Sequence, residues 1–174
     1  MLNISTLKNQ QIYLKSSPMD KLLEEHFEIK ISNVENLNND QILVEIIYIS
    51  IDAANRAWLQ GRTYRSQVLP GDVMGGYALG KVIFSNNKNF NVGDYVEGDL
   101  GWQNYAIKNE NELIKKTIKS SENLHMSVLG ITGRTAYFGL ELANLKEGET
   151  VLISAAAGAV GNVAGQIAKI KGCK

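Results

Sequence analysis

The sequence predicts a mixed architecture: a barrel-like domain of short β-strands followed by the opening of a doubly wound α/β fold. Three observations carry that prediction. Short apolar runs divided by turn residues fill the stretch from about residue 11 to 119. Near Ser121 the pattern changes to apolar residues at helical spacing. Residues 151–171 then read as a buried strand, a tight turn of small residues and an amphipathic helix.

Taken in order, 11–14 and 27–31 are brief strand candidates, with Pro18 and Asp20 marking the loop between them. The strongest strand signal is 41–52. Ile42, Val44, Ile46 and Tyr48 line one face while Leu43, Ile47, Ile49 and Ile51 make the other largely apolar, as in a strand covered on both sides. Residues 53–59 have room for one or two helical turns, and 60–64 are loop-like. Pro70-Gly71-Asp72 signals a turn, and Gly75-Gly76 opens backbone conformations closed to other residues. A strand follows over 77–84 and ends in the polar run 85–89; 92–96 and 101–107 each read as a turn entering a strand.

Residues 126–142 carry helical spacing, with Val128, Leu129, Tyr137, Phe138 and Leu140 as core candidates. Gly130, Gly133 and Gly139 interrupt it. A glycine inside a helix costs about 1 kcal/mol relative to alanine, so a break near Gly133 or a close backbone approach is expected. After the turn at 146–149, Val151, Leu152 and Ile153 form a continuous apolar run, and Val160, Val163, Ala164, Ile167 and Ala168 recur on one helical face. Lys169 and Lys171 suit the negative end of that helix, and Gly172 is placed to stop it. Between strand and helix lie Ala156, Gly158 and Gly161, a G-x-G-x-x-G spacing with alanine first. Small residues there let the backbone turn sharply and let a pyrophosphate approach the N–H groups at the helix start.

With 174 residues and 44% apolar content the chain can bury the core of one full domain or two small ones. Lys plus Arg and Asp plus Glu number 18 each, so charge gives no argument for nucleic acid, an anionic membrane or a polyanionic substrate. The run Lys115, Lys116, Lys119 reads as a solvated face. Cys173 is the only cysteine, which excludes an intramolecular disulfide and fits a reducing, cytoplasmic setting. Polar residues interrupt the N-terminus, and no segment reaches the roughly 18 apolar residues of a membrane span. A soluble protein is expected. The two histidines, His26 and His125, have no cysteine or histidine at ligand spacing, so no metal site is expected.

Several stretches together carry a family resemblance. Ser50-Ile-Asp-Ala-Ala-Asn-Arg56 is similar to a Ser-aliphatic-Asp-Pro-x-x-Arg motif, Gly71-Asp-Val-Met74 to Gly-acidic-x-Met, and Gly93-Asp-Tyr-Val96 with Gly101-Trp102 to Gly-Asp-x-Val followed by Gly-Trp. Residues 129–140 and 155–173 resemble the same family's segments. That family is the medium-chain dehydrogenase/reductase superfamily, and within it the zinc-independent alkenal/one oxidoreductases that include prostaglandin reductases. Ala53 and Thr132 stand where the family has proline, which loosens two turns without removing a chemical group.

The resemblance implies a GroES-like β-barrel over 1–121, the substrate and catalytic domain, followed over 122–174 by the truncated start of a Rossmann cofactor domain. It implies NADPH as cofactor and hydride transfer to the C=C bond of α,β-unsaturated aldehydes or ketones, in a protein that is a homodimer at full length. The sequence alone does not separate NAD from NADP, because the selecting residue follows the second Rossmann strand. Carried over by position, Gly158, Ala159, Val160 and Gly161 match the contacts to the cofactor diphosphate and Tyr64 matches a tyrosine near the substrate. Arg56 reads as an ion-pairing or backbone-binding residue and Trp102 as packing; no catalytic acid or base is assigned. Residues 151–155 would lack sheet neighbours on both sides. The chain alone is therefore expected to be inactive, with a non-catalytic module associating through an exposed strand, or a zinc-free quinone reductase, as alternatives.

Overall fold

The computed structural model describes residues 3–174. The chain divides into two compact units, Met1–Thr117 and Ile118–Lys174.

The first unit holds β1 (Lys8–Leu14), β2 (Phe27–Asn33), β3 (Ile42–Ile49), β4 (Tyr77–Ser85), β5 (Tyr95–Asp99), β6 (Tyr105–Lys108), β7 (Ile114–Lys116) and the short helix α1 (Ala53–Ala57). Five strands form an antiparallel sheet in the order β6-β3-β4-β5-β7, and β1 and β2 form a separate antiparallel pair. The barrel-like expectation is thus met by an open ladder plus a two-stranded ribbon. One core cluster joins Ile42, Val44, Ala78, Val82, Val96 and Leu100; a second joins Leu14, Trp58, Leu59, Val68 and Met74.

Two of the motifs read from the sequence are where β1 grips the rest of this unit. Met74 N–H donates to Ile12 O at 2.8 Å, Leu14 N–H to Asp72 O at 2.9 Å, and Ile12 N–H to Trp102 O at 2.9 Å. Gly71 at φ +96 and Gly101 at φ +77 make the turns that present those groups. Buried Asn9 fixes the start of β1: its amide donates to Tyr105 O at 2.9 Å, and its Oδ1 accepts from the Asn104 and Tyr105 amides at 3.1 and 3.0 Å. The Gly101 turn leads into β6, which starts at Tyr105, as expected of 101–107 read as a turn entering a strand.

The two-face burial expected of 41–52 holds for Ile42, Leu43 and Val44 and fades afterwards. Register shifts at Leu43/Val44 and Ile46/Tyr48 turn the strand, and Tyr48 and Ile51 are exposed. Asp52 caps α1, its carboxylate accepting from Ala54 N–H at 3.0 Å.

The second unit holds α2 (Glu122–His125), α3 (Ile131–Leu142) and α4 (Ala159–Ile170). The helical stretch expected over 126–142 breaks at 126–130 and restarts at Ile131. Gly133 lies inside α3 for the other reason foreseen, a close approach: a Cβ there would sit 1.7 Å from Val128 O. Of the core candidates on this segment only Leu140 is buried; Val128, Leu129, Tyr137 and Phe138 are exposed. Tyr137 and Phe138 stand edge-on to each other, ring centroids 5.4 Å apart. Buried Ala136, Leu140 and Ala164 instead form a small α3–α4 core.

Residues 151–155 correct a second expectation, since they form no strand and Leu152 is 97% exposed. An apolar run becomes a two-face-buried strand only between neighbours, and here a single rung exists: Lys174 N–H donates to Glu149 O and Val151 N–H to Lys174 O, both at 2.8 Å. That is the bonding of a parallel pair. The stop at Gly172 is as expected. Gly172 adopts φ +78, Cys173 N–H donates to Ala168 O at 3.0 Å and Gly172 N–H to Lys169 O at 3.1 Å, a Schellman closure. Among the described residues no helix is long and apolar enough to cross a membrane.

Candidate functional site

The small-residue turn opens a helix whose first amides no side chain caps. Gly158 is the N-cap of α4, its N–H donating to Ala155 O at 2.8 Å while its own carbonyl accepts from Asn162 N–H at 2.8 Å. Ala159, Val160 and Gly161 therefore lie in the first turn, where N–H groups have no intrahelical acceptor. No side chain caps them, and no acidic residue lies in that turn. The positive end of the helix macrodipole is thus left for an anion.

Gly161 has a different task from its neighbours. A Cβ on it would lie 2.4 Å from Ala155 O and 2.9 Å from Ala156 Cα, so its missing side chain lets the helix close onto the turn. A Cβ on Gly158 would meet Ala155 O at 3.1 Å, a looser fit. The sequence reading missed Ala155, which takes the left-handed conformation at φ +49. For a residue with a Cβ that costs about 1–2 kcal/mol. The turn's geometry, small lining and free amides fit a diphosphate.

Beside this turn a groove of about 850 Å³ runs between α3 and α4, lined among others by Val128, Leu129, Tyr137, Ala159 and Ile167. Across its helices Lys171 pairs with Glu141, and that hydrogen bond raises the ammonium above its ordinary pKa.

In the β unit, Tyr64 is 82% exposed and stands edge-on to Trp58, ring centroids 6.0 Å apart. Arg65 lies 4.5 Å over the Trp58 ring and pairs with Asp99, which also accepts from Gly76 N–H at 3.0 Å. A Cβ on Gly75 would come within 2.5 Å of the Arg65 guanidinium, so the guanidinium lies directly against that glycine. Arg56 donates to the backbone carbonyl of Asp20, the backbone-binding role read from the sequence. Trp102 packs, stacked on Phe27 with centroids 6.1 Å apart. His26 Nδ1 is engaged with Leu23, and among the described residues no group of three or more His, Cys, Asp or Glu side chains gathers to hold a metal.

Comparison with known proteins follows the same lines. Residues 10–116 match the family model described as the N-terminal domain of oxidoreductase. The chain belongs to the zinc-independent medium-chain dehydrogenase/reductases. It is 40% identical over 154 residues to prostaglandin reductase 1 of Mus musculus, covering 86% of this chain and 45% of that one. It is 33% identical to the NADP(+)-dependent 2-alkenal reductase of Nicotiana tabacum, covering 96% of this chain and 51% of the relative. The crystal structure of CurA from Vibrio vulnificus in complex with NADPH matches with a TM-score of 0.84 at 35% identity, over 94% of this chain and 50% of that one. The chain spans about half the length of these relatives.

Proposed function

We propose that this chain is the N-terminal portion of an NADPH-dependent reductase that saturates the C=C bond of α,β-unsaturated aldehydes or ketones. In this reading the β unit is the substrate domain, the second unit begins the cofactor domain, and the complete protein is a cytoplasmic homodimer. The observation that carries it is the turn at 155–161. Its uncapped first-turn amides at Ala159, Val160 and Gly161 and its Gly161 closure occur in a chain related to an NADP(+)-dependent 2-alkenal reductase.

The Ala159, Val160 and Gly161 N–H groups would hold the diphosphate, which costs no side-chain ordering because the donors are backbone. The bound nicotinamide supplies the hydride. Tyr64 offers a phenol and an exposed ring to the substrate. The Arg65–Asp99–Trp58 arrangement positions the segment that carries it.

The test is a chain extended through a complete cofactor domain, assayed for NADPH oxidation with a 2-alkenal and, in parallel, with a quinone. Alkenal turnover is expected, and a folded extended protein inert to alkenals would overturn the proposal. Quinone turnover without alkenal turnover would move the assignment to the quinone reductases. In that protein Gly161→Val, which drives side-chain atoms into Ala155 O, is expected to raise the KM for NADPH about tenfold or more, since even a 1 Å displacement of positioned groups is costly. Unchanged KM would remove the turn from the cofactor site.

A further inference from the structure

β2 has a bare outer edge. It pairs with β1 in the register Ile12↔Ile29 and Gln10↔Ile31, and among the described residues no other strand lies beside it. Lys15 N–H donates to His26 O at 2.7 Å and Val34 N–H to Leu7 O at 3.0 Å, which fixes the alternation of the ladder. The backbone groups of Glu28, Lys30 and Ser32 turn toward β1, and those of Phe27, Ile29 and Ile31 turn outward. Phe27 N–H is taken by Glu24 O. The outward N–H groups of Ile29 and Ile31 and the outward carbonyls of Phe27 and Ile29 are left to solvent.

The side chains on this strand are as unusual for an edge as its length. Ile29 and Ile31 are 63% and 64% exposed on one face. On the other face Glu28 and Lys30 form an ion pair at 2.6 Å, with Lys30 4.4 Å over the Tyr13 ring. Edge strands are ordinarily protected by proline, bulges, inward charges or unpaired lysines; β2 has no proline, its one lysine is paired with Glu28, and its register with β1 runs unbroken over all seven residues.

We infer that this edge is a self-association surface, on which β2 of a second copy of the chain pairs antiparallel about a two-fold axis at Ile29. The outward amides permit two central registers, and charge chooses between them. Centred on Lys30, the pairing would set Lys30 against the second copy's Lys30 and Glu28 against Ser32. Centred on Ile29, it sets Glu28 against the second copy's Lys30 and the reverse, so the two ion pairs close into a square of alternating charge. In the same register each Ile29 donates to and accepts from its counterpart, and each Ile31 N–H donates to the second copy's Phe27 carbonyl. Ile29 then packs on Ile29 and Ile31 on Phe27. The strand is self-complementary in hydrogen bonds, apolar contact and charge, which is what an isologous two-fold contact requires. The result is a four-stranded sheet β1-β2-β2-β1. This inference uses only the first unit and does not rest on the reductase reading.

The test is sedimentation equilibrium of the chain at micromolar to submillimolar concentration, with far-ultraviolet circular dichroism to confirm the fold of each variant. The parent chain is expected to dimerise. Glu28→Lys and Lys30→Glu each place four like charges at the centre and are expected to raise the dimer Kd about tenfold or more. The double variant Glu28→Lys/Lys30→Glu restores alternation and is expected to return to the parent Kd. Ile29→Pro removes only an outward donor, leaves the β1 ladder bonds in place and is expected to be monomeric. A monomeric parent, single reversals that associate as the parent does, a double reversal that fails to rescue, or a dimeric Ile29→Pro would each overturn the inference. Association through the exposed apolar side chains of the helical unit would be indifferent to all four changes and would therefore appear as the second of these outcomes.

Discussion

In the β unit Leu14, Ile42, Leu43, Val44 and Leu79 are fully buried, whereas in the helical unit Leu142, Leu152 and Ile170 are 89%, 97% and 84% exposed. The sequences of the two regions do not differ in this way; both carry apolar runs of similar strength. The difference is in what surrounds them. The central strands β3, β4 and β5 are each hydrogen-bonded on both sides, and Leu43, Val44, Leu79 and Val96 on them are buried. Helices α3 and α4 touch through one small cluster, Ala136, Leu140 and Ala164 with Val163 and Ile167 packed against it, and much of the remaining apolar surface is exposed. Burial is a property of the assembly, and a sequence pattern states only which surface is available for it.

Truncating a leucine in each region is the most direct way to break the comparison. Leu79→Ala in β4 removes a fully buried side chain from a packed sheet and is expected to cost about 2–5 kcal/mol. Leu152→Ala removes an exposed one and is expected to fall within about 0.5 kcal/mol of the parent. Both tryptophans, Trp58 and Trp102, lie in Met1–Thr117, so urea unfolding followed by their fluorescence reads the first change alone. Circular dichroism reads the second. A large loss on Leu152→Ala would mean that this side chain is covered in solution.

Two glycines of α3 sharpen the point at smaller scale. A Cβ on Gly133 would collide with Val128 O, and Gly133→Ala is expected to destabilise the helical unit by about 1–3 kcal/mol. Gly139, one helical turn and a half later, has nothing within 4 Å of that position, and Gly139→Ala is expected to stabilise by about 0.5–1 kcal/mol. Thermal unfolding followed by helical circular dichroism separates them by sign. If both destabilise, the close approach is not what singles out Gly133.

Much of this was legible in the residues, for reasons that differ by element. The strands at Ile42–Ile49, Tyr77–Ser85 and Tyr95–Asp99 announce themselves because their partners lie within the chain and their turns use glycine at Gly71, Gly93 and Gly101, each with positive φ. The helix Ala159–Ile170 and its Gly172 stop were legible because capping chemistry is local. The run at 151–155 was read as a strand from its apolar character, and without the sheet neighbours whose absence the same reading noted it forms none. Tyr137 and Phe138 were misread as core because period and composition cannot report what covers a side chain. At the candidate site the glycines were visible, but Ala155 was not, since nothing in an alanine signals a left-handed turn. Arg65 and Asp99 stand 34 residues apart in sequence and meet only through the fold, with the guanidinium lying against Gly75.

The smallest expected effect lies in the turn that feeds β5, where a single carboxylate ties the turn to a neighbouring strand. Asp94 accepts from Asn91 N–H at 2.7 Å and pairs with Lys115 at 2.7 Å, closing the turn at Gly93 and tying it to β7. The Lys115 hydrogen bond, and after it the Asn91 amide, hold the Asp94 carboxyl below the ordinary value of 3.8. A lowered folded-state pKa means the unfolded chain takes up the proton first, so the contribution is fully present above the unfolded value and is lost as pH falls through the folded one. For a partly exposed pair it amounts to about 0.2–1 kcal/mol. Asp94→Asn is therefore expected to lower the urea midpoint by a small constant amount from pH 7 to about 5, and the gap from the parent should close as pH falls below about 4. Tryptophan fluorescence reports it. A gap that stays constant down to pH 3 would assign the effect to lost side-chain geometry rather than to the charge on Asp94.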